Sequence, residues 1–312
     1  MPNLRIFAGS SNIDLSKEIC TYLDIELSRL SINTFSNGNL SVQIQENVRE
    51  KDVFLLQSFT EPVNRNIIEL FITLDALRSA SAKRITAVIP YFSYSRSDKK
   101  DAPRISIAGR LMADLVKNAG ANRVLTMDLH SDSVHGFFSM PVDHLTAIPI
   151  VAEYIQQTMD LSSAVAVATD AGGAKRVGRF VHYLNIPMAI IDKRRISDVK
   201  VEQGLVVGDV KGCDAIIFDD EISTGGTLVA TAKTLAKAGV RKMIMAVTHP
   251  VLCGEAVKNI GISKLDRVIV TNTVHVGEEK KFDHLTVLSV APLLAEAIKR
   301  IHTGESVGAL FK

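Results

Sequence analysis

The chain has 312 residues, 46% of them hydrophobic and 22% charged, which is enough to form two globular domains with full apolar cores. The formal net charge of +2 gives no overall attraction to nucleic acid or to an anionic membrane. Three widely spaced cysteines, the lack of an apolar run of about 18 residues and the lack of an apolar leader argue against disulfides, a membrane span and secretion. We therefore predict a cytoplasmic protein.

Short apolar runs rich in β-branched residues alternate with amphipathic stretches along the chain. In the first half they predict strands at Arg5–Ala8, Val53–Gln57, Ile85–Tyr91 and Val124–Leu129, with helices around Ile67–Leu77 and from Leu111 to Gly120. In the second half they predict strands at Ala164–Thr169, Met188–Ile191, Ala215–Phe218, Met243–Val247 and Val268–Thr271, with helices at Leu228–Ala238 and Leu293–Ile301. Because these strands are apolar on both faces, the sequence predicts an α/β fold with mainly parallel sheets.

A pattern of helix, Ala-Gly, strand and histidine occurs twice in the chain. One copy leads from Gly120 to His130 and the other from Gly239 to His249. The repeat favours two similar domains, although any two βα units share part of this pattern. We place the boundary near Thr146, which gives domains of residues 1–145 and 146–312, and expect the last helix to pack back on the first domain.

Two carboxylates and a glycine-containing loop follow a buried strand within the segment Ala215–Thr227. Glycines allow the backbone to approach a ligand closely, and the N–H groups of Thr224–Thr227 would point at one spot before a helix. The positive end of that helix favours a phosphate. Asp219 and Asp220 suit ribose hydroxyls, or a metal ion that they hold. The alternative is an ordinary strand–turn–helix in which an Asp caps the helix.

Polar residues also follow other predicted strands, where ligands bind in α/β folds. Arg96 is either a solvated loop residue or a phosphate ligand, since its planar guanidinium matches phosphate oxygens. His130 and Asp170 have structural alternatives, a helix cap in the case of Asp170. The charged run at Asp192–Arg195 either begins a solvated loop or begins a flap that extends to about Gln203.

The Asp219–Thr227 pattern is that of the phosphoribosyltransferase fold, and the whole chain resembles the ribose-phosphate pyrophosphokinases. The motifs that carry this resemblance occur in one order: Phe35-Ser36-Asn37-Gly38-Asn39, Ile89-Pro90-Tyr91-Phe92, Arg96-Ser97-Asp98-Lys99-Lys100, Thr126-Met127-Asp128-Leu129-His130, Pro141-Val142-Asp143-His144, Asp170-Ala171-Gly172-Gly173 and Asp192-Lys193-Arg194-Arg195. The resemblance implies two tandem phosphoribosyltransferase-like domains. It also implies an enzyme of nucleotide biosynthesis that moves the β,γ-diphosphate of ATP onto the 1-hydroxyl of ribose 5-phosphate, giving phosphoribosyl pyrophosphate and AMP.

The resemblance also implies roles for individual residues. ATP would contact Phe35, Asn37, Gly38, Asn39, Arg96, Ser97, Asp98 and His130. Ribose 5-phosphate would contact Arg195, Asp219, Asp220, Ser223, Thr224, Gly225, Gly226 and Thr227. Lys193 and Arg195 would be the catalytic residues, acting from the flap. Mg²⁺ would be the cofactor, near His130 and Asp170, although Mg²⁺ prefers oxygen ligands to imidazole.

The resemblance further implies a homo-oligomer built from dimers and reaching hexamers. Some positions depart from the family pattern: Asn37 and Asn39 replace two acids, Ser97 stands where Gln is usual, and Ser223 stands where Asp is common. A catalytically silent regulatory subunit of the same family is the alternative function, and the presence of Lys193 and Arg195 argues against it. A phosphoribosyltransferase that consumes the product would lack the half of the chain that carries Arg96 and His130.

Overall fold

The computed structural model describes residues 3–192, 195–197, 200–201 and 204–311, with only the backbone described at 195–197, 200–201 and 311. The chain divides into two compact units. Unit 1 consists of residues 1–146, 273–275 and 289–312, and unit 2 of residues 147–272 and 276–288. The C-terminal segment therefore returns to the unit that contains the N-terminus.

The first half of the chain forms a five-stranded parallel sheet in the order β1-β4-β5-β6-β7, together with a separate antiparallel pair, β2 and β3. Its elements are β1 (Leu4–Ala8), α1 (Ile13–Leu23), β2 (Leu30–Thr34), β3 (Leu40–Ile44), β4 (Asp52–Leu56), α2 (Val63–Ser79), β5 (Arg84–Ile89), α3 (Ala108–Ala119), β6 (Arg123–Met127) and β7 (Val142–Leu145). Strand β5 ends at Ile89, two residues before the end that we predicted at Tyr91. Pro90 has no N–H to donate to a neighbouring strand, which explains the earlier end. Helix α3 ends at Gly120, whose φ of 129° favours glycine.

The second half forms a seven-stranded sheet in the order β12-β9-β8-β13-β14-β15-β16. Within this sheet, as far as the structure describes it, β12 pairs with β9 in the antiparallel direction and all other neighbouring strands are parallel. Its elements are α4 (Ile148–Thr158), β8 (Ala164–Ala168), α5 (Ala174–Leu184), β9 (Met188–Asp192), β10 (Arg195–Ser197), β11 (Lys200–Val201), β12 (Leu205–Val207), β13 (Asp214–Ile222), α6 (Gly226–Lys237), β14 (Lys242–Pro250), α7 (Ala256–Ile262), β15 (Arg267–Thr271), β16 (Leu285–Leu288) and α8 (Ala291–Thr303). Strands β10 and β11 form their own antiparallel pair. The predicted α/β fold with mainly parallel sheets is confirmed.

Apolar clusters cover both faces of the larger sheet. Along β13, Ala215 and Ile217 join one cluster, while Ile216 and Phe218 join the cluster on the opposite face. Successive side chains of a strand point to opposite faces, so a strand that is covered on both sides must be apolar at every position. This explains why the run Ala215–Phe218 was recognisable in the sequence.

Helix α8 packs against α1 within unit 1. A charged cluster lies near the end of this helix, where Arg84 donates to a carboxylate oxygen of Asp52 at 2.8 Å and to the Ile301 carbonyl at 2.7 Å. The ring of His302 lies 2.8 Å from the Asp52 carboxylate. Among the residues that the structure describes, no helix has the length and apolar character needed to cross a membrane.

Candidate active site

The acidic pair Asp219 and Asp220 belongs to β13 itself, near its carboxyl end, and not to the loop after it. The Asp219 carboxylate accepts a hydrogen bond from the Thr169 hydroxyl at 3.1 Å and from the Asp220 backbone N–H at 2.9 Å. One nitrogen of Arg176 lies 3.0 Å from Asp219 Oδ1 and 2.8 Å from Asp220 Oδ1. Neighbouring strand and helix residues therefore fix both carboxylates in place.

The environment of the pair raises the pKa of the Asp219 carboxyl. Burial, followed by the negative charge of Asp220 and its hydrogen bond, raises the pKa of Asp219 to about 7, and the positive charge of Arg176 partly opposes that shift. Asp220 is buried, with 4% of its side chain exposed, whereas 21% of the Asp219 side chain is exposed. Asp219 is thus the more exposed member of the pair.

The loop after β13 leads directly into the first turn of α6. Gly225 has φ +76° and ψ 3°, and a Cβ atom at this position would lie 3.1 Å from Asn259 Cβ. The loop is fixed further by Asn259, whose side-chain amide donates to the Thr224 carbonyl at 2.8 Å. A left-handed backbone in a crowded position requires glycine.

The start of α6 suits an anion. The residue that caps the helix is Gly225, and no described side chain caps it, so the alternative in which an Asp caps this helix is wrong. The first N–H bonded inside the helix is that of Val229, which donates to the Gly225 carbonyl at 3.1 Å. The N–H groups of residues 226–228 precede it and have no acceptor within the helix. Together with the exposed Thr224 and Thr227, they form the surface on which we predicted a phosphate.

Ser223 is tied to the turn that follows β14. Its hydroxyl lies 3.2 Å from the Cys253 thiol, and its carbonyl accepts from the Cys253 N–H at 3.1 Å. No local pattern in the sequence links Cys253 with this loop, because 30 residues separate the two in the chain. Sequence reasoning likewise missed Arg176 and Asn259, whose contacts link helices α5 and α7 to β13 and to the loop after it.

Asp170 follows β8 and is exposed. Its Oδ1 accepts from the Gly173 N–H at 2.9 Å within the turn before α5, but the residue that caps α5 is Gly173 with no side-chain cap, so the alternative in which Asp170 caps this helix is wrong. An exposed carboxylate is also the oxygen ligand that Mg²⁺ prefers. Within the described part of the chain no group of three or more His, Cys, Asp or Glu side chains could hold a metal ion.

In unit 1, the loops after β5 and β6 lie together. The His130 N–H donates to the Ser95 hydroxyl at 3.4 Å, and the Ser133 hydroxyl donates to the Asp98 carboxylate at 3.3 Å. The Ser97 hydroxyl accepts from the Ala108 N–H at 3.1 Å, at the start of α3. Arg96 and His130 are exposed at the surface of these loops. The structure therefore brings Arg96, Ser97, Asp98 and His130 into one region.

The segment Phe35–Asn39 is the turn between β2 and β3. Gly38 has φ +86° and donates its N–H to the Phe35 carbonyl at 2.8 Å, while Asn37 accepts from the Asn39 N–H at 3.1 Å. Phe35 is 57% exposed. This pair of strands is a sheet separate from the one whose loops carry Arg96 and His130.

The two predicted catalytic residues are described incompletely. Lys193 lies outside the described residues, and so does the side chain of Arg195. The backbone of Arg195 begins β10, which pairs with β11 inside the segment that we predicted to be a flap.

Family models match two parts of the chain. Residues 4–120 match the N-terminal domain of ribose phosphate pyrophosphokinase, and residues 195–312 match the phosphoribosyl synthetase-associated domain. The two matched regions contain the predicted residues Phe35–Asn39, Arg96–Asp98 and Asp219–Thr227.

Relatives match over the full length. The ribose-phosphate pyrophosphokinase of Aquifex aeolicus is 47% identical over 311 residues, covering 100% of both chains. That of Deinococcus radiodurans is 48% identical and covers 99% of this chain and 98% of its own. The crystal structure of phosphoribosylpyrophosphate synthetase from Mycobacterium smegmatis superposes with a TM-score of 0.92 at 40% identity, covering 97% of this chain and 99% of that one.

Proposed function

This chain belongs to the ribose-phosphate pyrophosphokinase family, and we propose that it transfers the β,γ-diphosphate of ATP to the 1-hydroxyl of ribose 5-phosphate. The products are phosphoribosyl pyrophosphate and AMP. The observation that carries this proposal is the acidic pair on β13 followed directly by the open first turn of α6. That surface offers acceptors for sugar hydroxyls and donors for a phosphate within one strand–loop–helix unit.

Ribose 5-phosphate binds with its two ends on different parts of this unit. Its phosphate accepts from the N–H groups of residues 226–228 and from the hydroxyls of Ser223, Thr224 and Thr227. Its ring hydroxyls donate to Asp219 and Asp220. This arrangement leaves the 1-hydroxyl as the group that reacts.

ATP binds the exposed loops of unit 1. Arg96 contacts phosphate oxygens, and Ser97, Asp98 and His130 line the same region. The hairpin turn at Phe35–Asn39 presents an exposed aromatic ring to the base.

The reaction forms one bond and breaks one bond. The oxygen of the ribose 1-hydroxyl attacks the β-phosphorus, the bond from that phosphorus to the oxygen of the α-phosphate breaks, AMP leaves, and the hydroxyl proton is released. Catalysis then depends on positioning and on charge stabilisation, which Lys193 and Arg195 supply. Asp170 and His130 are the residues that would hold Mg²⁺, and the bound ion would neutralise phosphate charge. We extend the proposal to a cytoplasmic homo-oligomer, by resemblance to the family.

The first test is AMP release from ATP and Mg²⁺, measured with and without ribose 5-phosphate. We expect AMP to form only with the sugar phosphate, and phosphorus NMR to detect phosphoribosyl pyrophosphate in equal amount. AMP without phosphoribosyl pyrophosphate would contradict the proposed transfer. A folded protein that binds ribose 5-phosphate but releases no AMP would instead be the silent regulatory subunit.

The raised pKa of Asp219 predicts a pH dependence for sugar binding. Below its pKa of about 7, Asp219 is protonated and is a weaker acceptor for a ribose hydroxyl. At saturating ATP, kcat/KM for ribose 5-phosphate should therefore rise with pH and level off above about 7, falling by about tenfold per pH unit below it.

The phosphate of the substrate itself titrates near a pKa of about 6. The control is Asp219→Asn, which should lose the upper inflection and keep the one due to the substrate. An unchanged upper inflection in that variant would assign it to another group.

A further inference from the structure

Arg176 is the cation closest to the acidic pair among the contacts described above. It lies in the first turn of α5, the helix that follows the Asp170 loop. Its Nη1 is 3.0 Å from Asp219 and 2.8 Å from Asp220, and 19% of its side chain is exposed. One guanidinium nitrogen therefore bridges two carboxylates that lie on consecutive residues of one strand.

This bridge has two physical consequences. Two carboxylates at such a short separation repel each other, and the guanidinium opposes that repulsion. The cation also occupies the position between the two Oδ1 atoms, and its positive charge there opposes the approach of a divalent ion to that position. Of the two roles considered for Asp219 and Asp220 from the sequence, ribose hydroxyls or a metal ion, this contact favours hydroxyls.

We infer that Arg176 is a positioning residue, which holds Asp219 and Asp220 in the orientation that accepts two neighbouring hydroxyl groups of a phosphorylated sugar. This inference rests on the proposed function and adds a determinant of sugar specificity. The Oδ1 atoms of both residues are held by the arginine, and Asp219 Oδ2 accepts from the Thr169 hydroxyl, so these contacts fix the direction of the carboxylates. A sugar lacking one hydroxyl leaves a carboxylate oxygen of the pair unpaired in the complex, which such sites reject strongly.

The test compares ribose 5-phosphate with 2-deoxyribose 5-phosphate in the wild-type protein and in Arg176→Met and Arg176→Lys. In wild type we expect kcat/KM to favour ribose 5-phosphate by at least about a hundredfold. Arg176→Met should raise KM for ribose 5-phosphate by about thirtyfold and reduce the preference to below about tenfold, with KM for ATP within about twofold. Arg176→Lys keeps the charge without the planar fork and should fall between the two.

Arg241 provides a matched control, because its carboxylate partner Asp214 lies on the same strand as the acidic pair. It forms a two-pronged pair with Asp214 at the opposite end of β13, with nitrogen–oxygen distances of 2.7 and 2.9 Å. Arg241→Met should lower stability without changing either KM or the sugar preference. If Arg176→Met does not fold, Arg176→Lys decides the question, and wild-type KM and preference in that variant would overturn the inference.

Two further readouts separate this inference from others. Isothermal titration with ribose 5-phosphate, in the presence of Mg²⁺ and a non-hydrolysable ATP analogue, should show the same loss of affinity in Arg176→Met that KM shows. The free Mg²⁺ concentration for half-maximal rate should stay within about twofold in Arg176→Lys, because the inference assigns the pair to hydroxyl groups; a tenfold change would assign the pair to the metal instead. If wild type releases no AMP with ribose 5-phosphate, the proposed function fails; if it does and the Arg176 variants behave like wild type, only this inference fails.

Discussion

Replacing Lys193 with alanine should lower kcat by about a thousandfold while KM for ribose 5-phosphate changes by less than about threefold. Diphosphate transfer concentrates negative charge on the transferring group, and the loss of one preorganised donor to such charge typically costs about 3 to 4 kcal/mol of transition-state stabilisation. Because we propose that the sugar binds on β13 and α6, we expect its affinity to survive the loss of this lysine.

The sheet of unit 2 gives a physical reason for the choice of Lys193. Parallel strands β9, β8 and β13 are neighbours, and Ala168 pairs with Ile190 on one side and with Phe218 on the other. Two residues beyond each of these positions come Asp170, Asp192 and Asp220. Neighbouring strands are about 4.8 Å apart, so Asp192, the residue before Lys193, lies two strands and about 10 Å from the acidic pair.

The control for this prediction is Lys242→Ala. Lys242 begins β14 at the amino edge of the same sheet and is exposed. We expect that variant to keep the wild-type kcat, as measured by AMP release at saturating substrates. Normal turnover in Lys193→Ala would refute the catalytic assignment, whereas a large rise in KM for ribose 5-phosphate with unchanged kcat would make Lys193 a binding residue.

The elements that the sequence predicted best are those whose environment is uniform. The buried run at Ala164–Ala168 needs apolar residues on both faces and was visible for that reason. Strand β13 extends four residues past Phe218, because ladder pairing with β14 continues through its polar residues up to Ile222 and Pro250. A prediction from apolar character alone ends such a strand too early. The predicted repeat, Gly120–His130 and Gly239–His249, holds for the strands but not for the histidines. His249 is buried inside β14, whereas His130 is exposed beyond the end of β6.

In the candidate site too, residues within one contiguous segment could be predicted, and residues brought in by tertiary packing could not. The Asp219–Thr227 pattern is contiguous in sequence, so its chemistry could be predicted residue by residue. The bridge from Arg176 depends on how α5 packs against β13, and more than 40 residues separate the arginine from the acidic pair. No local spacing encodes that contact. Arg176 therefore became a candidate only through the three-dimensional structure.

Asp220→Asn should raise KM for ribose 5-phosphate by about a hundredfold, with kcat and KM for ATP changing by less than about threefold. The substitution keeps the shape of the side chain but removes its charge, and a hydrogen bond to a charged group contributes up to about 3 kcal/mol. It also weakens the bridge from Arg176, so that Asp219 loses part of its fixed geometry.

Asp214→Asn is the matched control for that result, because Asp214 forms the Arg241 pair at the other end of β13 and is also buried. Both substitutions break an arginine–carboxylate pair, so both should lower the free energy of unfolding, measured in urea. Asp220→Asn alone should raise KM for the sugar phosphate. An unchanged KM in Asp220→Asn would show that the bridge is structural and that ribose recognition lies elsewhere. A rise of similar size in Asp214→Asn would mean that loss of stability, and not loss of a hydroxyl acceptor, explains the effect.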